Sequence, residues 1–141
     1  MTELWDGYYP DGTPAGIDLI RGEPFPQGLY HMVCEILVRL TDGDFLLMLW
    51  DVSKPLYGGY WEATAGGDVV KGEDPHSAAL RELREETGIS AGSLTLLGRY
   101  VSPDAIYFSY LCVTGCDKSS VTLQKGETIA YRWVSSPAPA A

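Results

Sequence analysis

Three glutamates, Glu82, Glu85 and Glu86, are the residues of this 141-residue chain best placed to do chemistry. They fall within GDVVKGEDPHSAALRELREETGI, which runs from Gly67 to Ile89. At about 100° per residue, spacings of i, i+3 and i+4 put all three on one helix face. Like charges that close destabilise a helix unless something positive sits among them. Oxygen ligands of that charge suit a hard divalent cation, Mg²⁺ or Mn²⁺.

The flanking residues describe the element that must carry them. Asp74-Pro75 reads as a helix start, an N-cap acceptor followed by the residue most at ease in the first turn. Thr87-Gly88 reads as a stop, with glycine where a left-handed conformation is usual. Ala79, Leu80 and Leu83 form an apolar stripe beside the acidic one, so the helix can dock on a core while its carboxylates face a cleft. Arg81 precedes Glu85 by four residues and can hold it through a charge-assisted bond. Gly66-Gly67 lets the backbone turn sharply at the mouth of the site.

Gly67, Glu73, Arg81, Glu82, Leu83, Glu85, Glu86, Gly88 and Ile89 together resemble the Nudix box at every defined position. An ordinary amphipathic helix with a solvated acidic face explains the charges, but not this loop and spacing together. The resemblance implies a single-domain α/β/α sandwich built on a mixed β-sheet. It also implies hydrolysis of a phosphoanhydride bond in a nucleoside diphosphate linked to another moiety. Glu82, Glu85, Arg81 and Glu73 then form the catalytic set, with Glu73 and Arg81 supporting the ligands. The base varies among subfamilies, and Glu82 is the one taken here. Glu82, Glu85 and Glu86 would hold the metal, and Gly67 would add its carbonyl. Glu127, in GETIAYRWV, matches a position where some relatives place a further acidic ligand; a solvated loop glutamate is the equal alternative.

The wider stretch also looks like the branch that shares features with isopentenyl-diphosphate isomerases. Those enzymes carry a nucleophilic cysteine just before the helix loop, where WEATAGGDV has Gly66. Without that thiol the proton-transfer chemistry loses a named participant, so isomerisation is disfavoured. A non-catalytic nucleotide-binding module is the other alternative, but such modules commonly lose box carboxylates and this chain keeps all of them.

Composition sets the frame. The length suits one compact domain able to bury a core. A net charge of −9 argues against nonspecific binding of nucleic acid or anionic lipid. Cys34, Cys112 and Cys116 lack the spacing of a redox or zinc site and read as thiols. MTELWDGYYPDG lacks the regions of a signal peptide, and no apolar run reaches transmembrane length. A reducing cytoplasm is the expected location.

The elements follow from the pattern of apolar residues and turns. Residues 1–30, rich in Gly, Pro and aromatics, read as an extension of the same domain with a short strand at Ile17–Arg21. Residues 31–134 read as the domain proper. Strands are expected at Tyr30–Leu40 and Phe45–Trp50 around a DGD turn, then at Trp61–Ala65, Leu94–Val101, Ala105–Val113 and Ile129–Val134. The tail, residues 135–141, contains Pro137 and Pro139, which forbid the C-terminal helix that relatives generally place there. An uncovered apolar sheet face would be an association surface, and a homodimer is expected from it.

Residues that would choose the substrate are less marked. Trp50, Tyr57, Tyr60 and Trp61 could stack on a base, core packing being the plainer use for at least half of them. Lys54 and Arg21 are the cations to test for phosphate contacts. Pro103 and Tyr107 lie near positions tied in relatives to substrate choice, although a turn proline and a strand aromatic are the plainer readings. His31 and His76 have no metal-ligand spacing between them.

Overall fold

The structure, a computed structural model, describes residues 2–90 and 93–135. Its centre is β3 (His31–Leu40), in which Met32, Cys34, Ile36, Val38 and Leu40 are buried and the intervening residues are half-covered. That strict alternation is the period-two signature of a strand with one face on a core. β3 turns at Asp42-Gly43 into β4 (Asp44–Trp50). Gly43 has φ 100°, and the Asp44 N–H donates to Asp42 Oδ1 at 2.9 Å. After β5 (Trp61–Glu62) and β6 (Thr64–Asp68) comes α1 (Pro75–Thr87), then β7 (Ser93–Val101), β8 (Ala105–Thr114) and β9 (Thr128–Ser135).

These seven strands form one mixed sheet. β8 runs parallel to β3 along its full length, from His31 beside Ala105 to Leu40 beside Thr114. The opposite edge of β3 is shared. Its C-terminal end meets β4 at the hairpin, while Val33–Leu37 pair antiparallel with β6. β4 peels away to pair with β9, Asp44 beside Ser135 through Trp50 beside Thr128. A cleft opens where these two partners of β3 diverge.

α1 covers one face of the sheet. Ala78, Ala79 and Leu83 pack into the core with Met32, Cys34, Ile36 and Ile106. Ala78, not Leu80, completes the buried stripe; Leu80 is only half-buried. The expected caps form. Asp74 accepts from the Ser77 N–H at 2.7 Å, Pro75 sits in the first turn, and Gly88 takes φ 76°.

Among the described residues α1 is the one α-helix, so the helical layer on the sheet's other face is lacking there. Pro137 and Pro139, invoked against that helix, lie outside the described residues. No described helix is long and apolar enough to cross a membrane. Cys34 and Cys112 are buried, Cys116 is half-buried, and no disulfide joins them.

The N-terminal region holds more structure than its composition suggested. β1 (Leu4–Tyr8) pairs antiparallel with β2 (Pro14–Ile20), giving a separate hairpin where a single short strand was expected. Its own small core of Trp5, Leu19 and Leu29 explains why it forms. The expected strand at Trp61–Ala65 is divided into β5 and β6, because Trp61 and Glu62 pair with β4 whereas the residues after Ala63 turn to β3.

Candidate active site

Arg81 is the hub of the acidic helix. Its Nε donates to Glu73 Oε2 at 2.7 Å and its Nη2 to Glu73 Oε1 at 2.9 Å. Nη1 reaches Glu82 at 2.8 Å and Glu85 at 3.2 Å, and Nη2 also reaches the Asp68 carbonyl at 3.1 Å. Glu73 accepts in addition from the Val70 N–H at 3.0 Å, which ties the loop ahead of the helix to the same cluster. The fork geometry of the guanidinium suits this two-sided grip on Glu73. Its bonds to Glu73 hold the Glu73 carboxyl below its ordinary range.

Glu86 is buried, with a relative exposure of 7%. Its Oε2 accepts from the Gly66 N–H at 3.2 Å. Burial, then repulsion from Glu82, Glu127 and Glu85, pushes its pKa up to about 8. Burial raises that of Glu82 too, against the opposing pull of Arg81. Glu85 is more open, with its side chain 45% exposed.

The chain approaches this cluster through two glycines, each required for its own reason. Gly66 has φ 153°, and a Cβ there would stand 2.1 Å from the Cys34 carbonyl oxygen. A Cβ on Gly67 would stand 2.8 Å from the Glu82 carboxyl carbon. The Gly67 carbonyl accepts from the Cys34 thiol at 3.5 Å, and burial pushes that thiol up to about 12. Cys34 is therefore an inert thiol near neutral pH, close to the site in space.

The β4–β9 pairing brings Glu127 to the same place. The Asp51 N–H donates to the Glu127 carbonyl at 2.8 Å, and the Glu127 carboxylate is paired with Lys54. A cleft of about 420 Å³ is bounded by Gly66, Gly67, Arg81, the three box glutamates, Glu127, Lys54, Trp50 and Gln124. Glu3, Arg21 and Asp68 complete its wall. Glu73 is not on this wall; it stands behind Arg81.

The donor set fits a hard divalent cation. The carboxylates are crowded and partly desolvated, and Glu86 and Glu82 are held above their ordinary range, a cost that a cation among them would offset. As they stand, no three His, Cys, Asp or Glu groups among the described residues converge on one ion position. Arg81 draws Glu82 and Glu85 to itself, while Glu86 faces the Gly66 N–H.

Sequence reasoning missed Asp68, Glu3 and Gln124. Asp68 directly follows Gly67, so its nearness was readable, but Glu3 and Gln124 carry no local signal. Of the aromatics considered for stacking, Trp50 lines the cleft and Tyr57 an adjoining groove of about 360 Å³ that shares Gly66 and Gly67; Tyr107, considered for substrate choice, lines the same groove. Tyr60 is exposed, and Trp61 lies under Arg132 at 4.5 Å. Pro103 lies in a separate pocket beside Phe25 and Leu29. His76 rests edge-on against Tyr110.

The molecule is thus a mixed α/β sheet protein whose one described α-helix presents clustered carboxylates to a cleft that also holds Arg21, Lys54 and Arg81. Residues 30–139 match the family model of the NUDIX domain, and the chain belongs to the Nudix hydrolase family. An uncharacterised Nudix hydrolase of Listeria monocytogenes is 30% identical over 94% of this chain and 80% of its own length. An isopentenyl-diphosphate Δ-isomerase of Corynebacterium diphtheriae is 35% identical over 72% of this chain and 54% of its own length. A crystal structure of a Deinococcus radiodurans protein superposes with a TM-score of 0.76 over 94% of this chain and 83% of its own, at 18% identity, and shares the fold. Nudix enzymes hydrolyse diphosphate bonds in nucleoside diphosphate derivatives and generally need a divalent metal.

Proposed function

We propose that this cleft hydrolyses the phosphoanhydride bond of a nucleoside diphosphate linked to a second moiety, with Mg²⁺, or Mn²⁺ in its place, as the metal. Glu82, Glu85 and Glu86 would hold the metal, with the Gly67 carbonyl and Glu127 completing the donor set. The bound ion supplies charge neutralisation and a water of lowered pKa. Glu82, at the wall of the cleft and bonded to Arg81, would be the proton acceptor for the attacking water. Glu73 and Arg81 position Glu82 and Glu85, as outer partners of metal ligands do.

The observation that carries this reading is the arrival of Glu127, forty-one residues beyond Glu86, in the cleft of the box glutamates. A further carboxylate beside three others adds like charge that Lys54, its one cationic partner among the described residues, does not offset for the whole cluster, and a divalent cation would. Gly66 argues against isomerisation, since a cysteine side chain there would strike the backbone of β3. Cys34 does not substitute, because burial keeps it protonated.

Phosphate and nucleotide release from a panel of nucleotide sugars, dinucleotides and nucleoside triphosphates, with Mg²⁺ present and with a chelator, tests the reading. Glu85→Gln and Glu86→Gln should each lower kcat at least ~10²-fold, the upper end of what losing an outer partner of a metal costs, while the variants stay folded. Parental turnover in either variant removes the metal assignment. Allylic isomerisation without phosphate products would establish the isomerase instead.

Two further features belong to the same reading. The chain works in a reducing cytoplasm, in keeping with three thiols that form no disulfide. It self-associates as a homodimer, in keeping with Leu96, Leu97, Tyr100 and Val101 standing exposed along β7 at the edge of the sheet. A monomeric mass by sedimentation at micromolar concentration would retire the dimer.

A further inference from the structure

The cleft holds six carboxylates and three cations, so an anionic substrate meets a wall with more negative than positive groups. Metal ions offset this where the box glutamates lie. The second phosphoryl group of a diphosphate still needs a cation of its own. Of the three, Arg81 is consumed by Glu73, Glu82, Glu85 and the Asp68 carbonyl. Lys54 is held between Glu127 and the Trp50 ring.

Arg21 is different. It follows β2 in the N-terminal hairpin, ahead of the segment that matches the family model. Its side chain is 60% exposed and its Nη1 meets Glu3 at 3.1 Å and Asp68 at 3.8 Å. Among the described residues its Nε and Nη2 hydrogens have no protein partner.

Of the two carboxylates that face it, Glu3 is held from behind by a hydrogen bond and Asp68 is backed by a ring. Glu3 accepts from the indole N–H of buried Trp5 at 2.6 Å. Asp68 lies 3.1 Å from His31 Nδ1, a close contact without hydrogen-bond geometry, and His31 is stacked on the same Trp5 ring. The hairpin itself is clamped to the loop that enters α1. The Lys71 N–H donates to the Leu4 carbonyl at 2.9 Å, the Gly72 N–H to Asp6 at 2.9 Å, and Lys71 pairs with Asp18 at 2.7 Å. Arg21 is thereby held at a set place relative to the box.

We propose that Arg21 is a substrate-binding residue, donating its free guanidinium edge to the non-bridging oxygens of the substrate's phosphoryl group that is not attacked. This rests on the diphosphate hydrolysis proposed above. Glu3 and Asp68 are positioning residues, and the N-terminal hairpin is a working wall of the site rather than an appendage. The planar fork, not charge alone, makes the contact.

The test uses the full chain with Mg²⁺, the best-cleaved substrate of the panel, and the non-hydrolysable probe methylenediphosphonate. Arg21→Ala should raise KM ~10- to 100-fold, the range for one charge-assisted contact, with kcat little changed. By calorimetry it should weaken methylenediphosphonate binding by a similar factor. Arg21→Lys should recover part of the loss, and thermal unfolding of both variants should match the parent, since the side chain is open to solvent. Parental KM and parental affinity for the probe in Arg21→Ala would overturn the proposal. A fall in kcat alone would overturn it as well. If the parent cleaves nothing in the panel, the hydrolase reading fails; the probe measurement then judges Arg21 separately.

Discussion

At the scale of single residues the site depends on what cannot be added as much as on what is present. Gly67 leaves the space that the Glu82 carboxyl fills. Gly67→Ala should displace Glu82 and lower kcat by ~10²-fold, the cost of a misplacement near 1 Å, with little loss of stability; steady-state kinetics beside thermal unfolding would show it. Glu86 makes a prediction with a definite sign. Its folded pKa, about 8, stands above the ordinary 4.5, so the metal-free folded state holds a proton that the unfolded chain has lost. The stability this contributes is complete below the ordinary value and is lost as pH rises toward 8. Thermal unfolding in a chelator should therefore show a midpoint that falls across this window. Saturating Mg²⁺ should reduce the fall, and Glu86→Gln should shrink it to the part that the raised Glu82 contributes.

Helix α1 is the element on which the geometry rests, and its two ends are specified by different chemistry. Asp74 satisfies the Ser77 N–H, and Asp74→Ala should cost about 1 kcal/mol of stability by denaturant unfolding. Gly88 is more demanding, because its left-handed conformation is combined with contact. A Cβ there would come within 2.4 Å of Thr122 Oγ1, and Thr122 also donates its N–H to the Thr87 carbonyl at 2.9 Å. Gly88→Ala should lose more than the ~1–2 kcal/mol of a left-handed L-residue, and should loosen the last turn that carries Glu85 and Glu86. Both ends were readable as local signals, since caps are chemistry between near neighbours. The strand break between β5 and β6 was not, because it depends on which distant strand each half pairs with.

For the whole molecule, a strand shared between two partners creates the site. β3 keeps β6 beside it while β4 departs to β9, and the resulting cleft gathers carboxylates from β6, α1 and the turn just before β9. The N-terminal hairpin closes the same cleft from outside, through contacts with the loop before α1, with His31 at the start of β3 and, at its turn, with Arg99 of β7. If that hairpin is a wall of the site, Lys71→Ala, which removes the pair with Asp18, should weaken methylenediphosphonate binding while leaving the Mg²⁺-dependent gain in thermal stability in place. An unchanged affinity would show that the hairpin's position has no bearing on the cleft.

The box from Gly67 to Ile89 was determined by sequence alone, because its chemistry is local: caps, a helical period and an arginine one turn from its partner. The strands around it were also legible wherever apolar alternation was strong, as in β3 and β4. Tertiary structure decided the rest. That Glu127 lies in the cleft of the box glutamates could be read only once β9 paired with β4, and Ala78 rather than Leu80 is buried in the docked helix. Arg21, Glu3 and Asp68 became one wall only when the hairpin folded onto the loop of the box. Spacing along a chain can specify the contacts of one turn of helix, whereas a cleft wall is set by which strands share an edge.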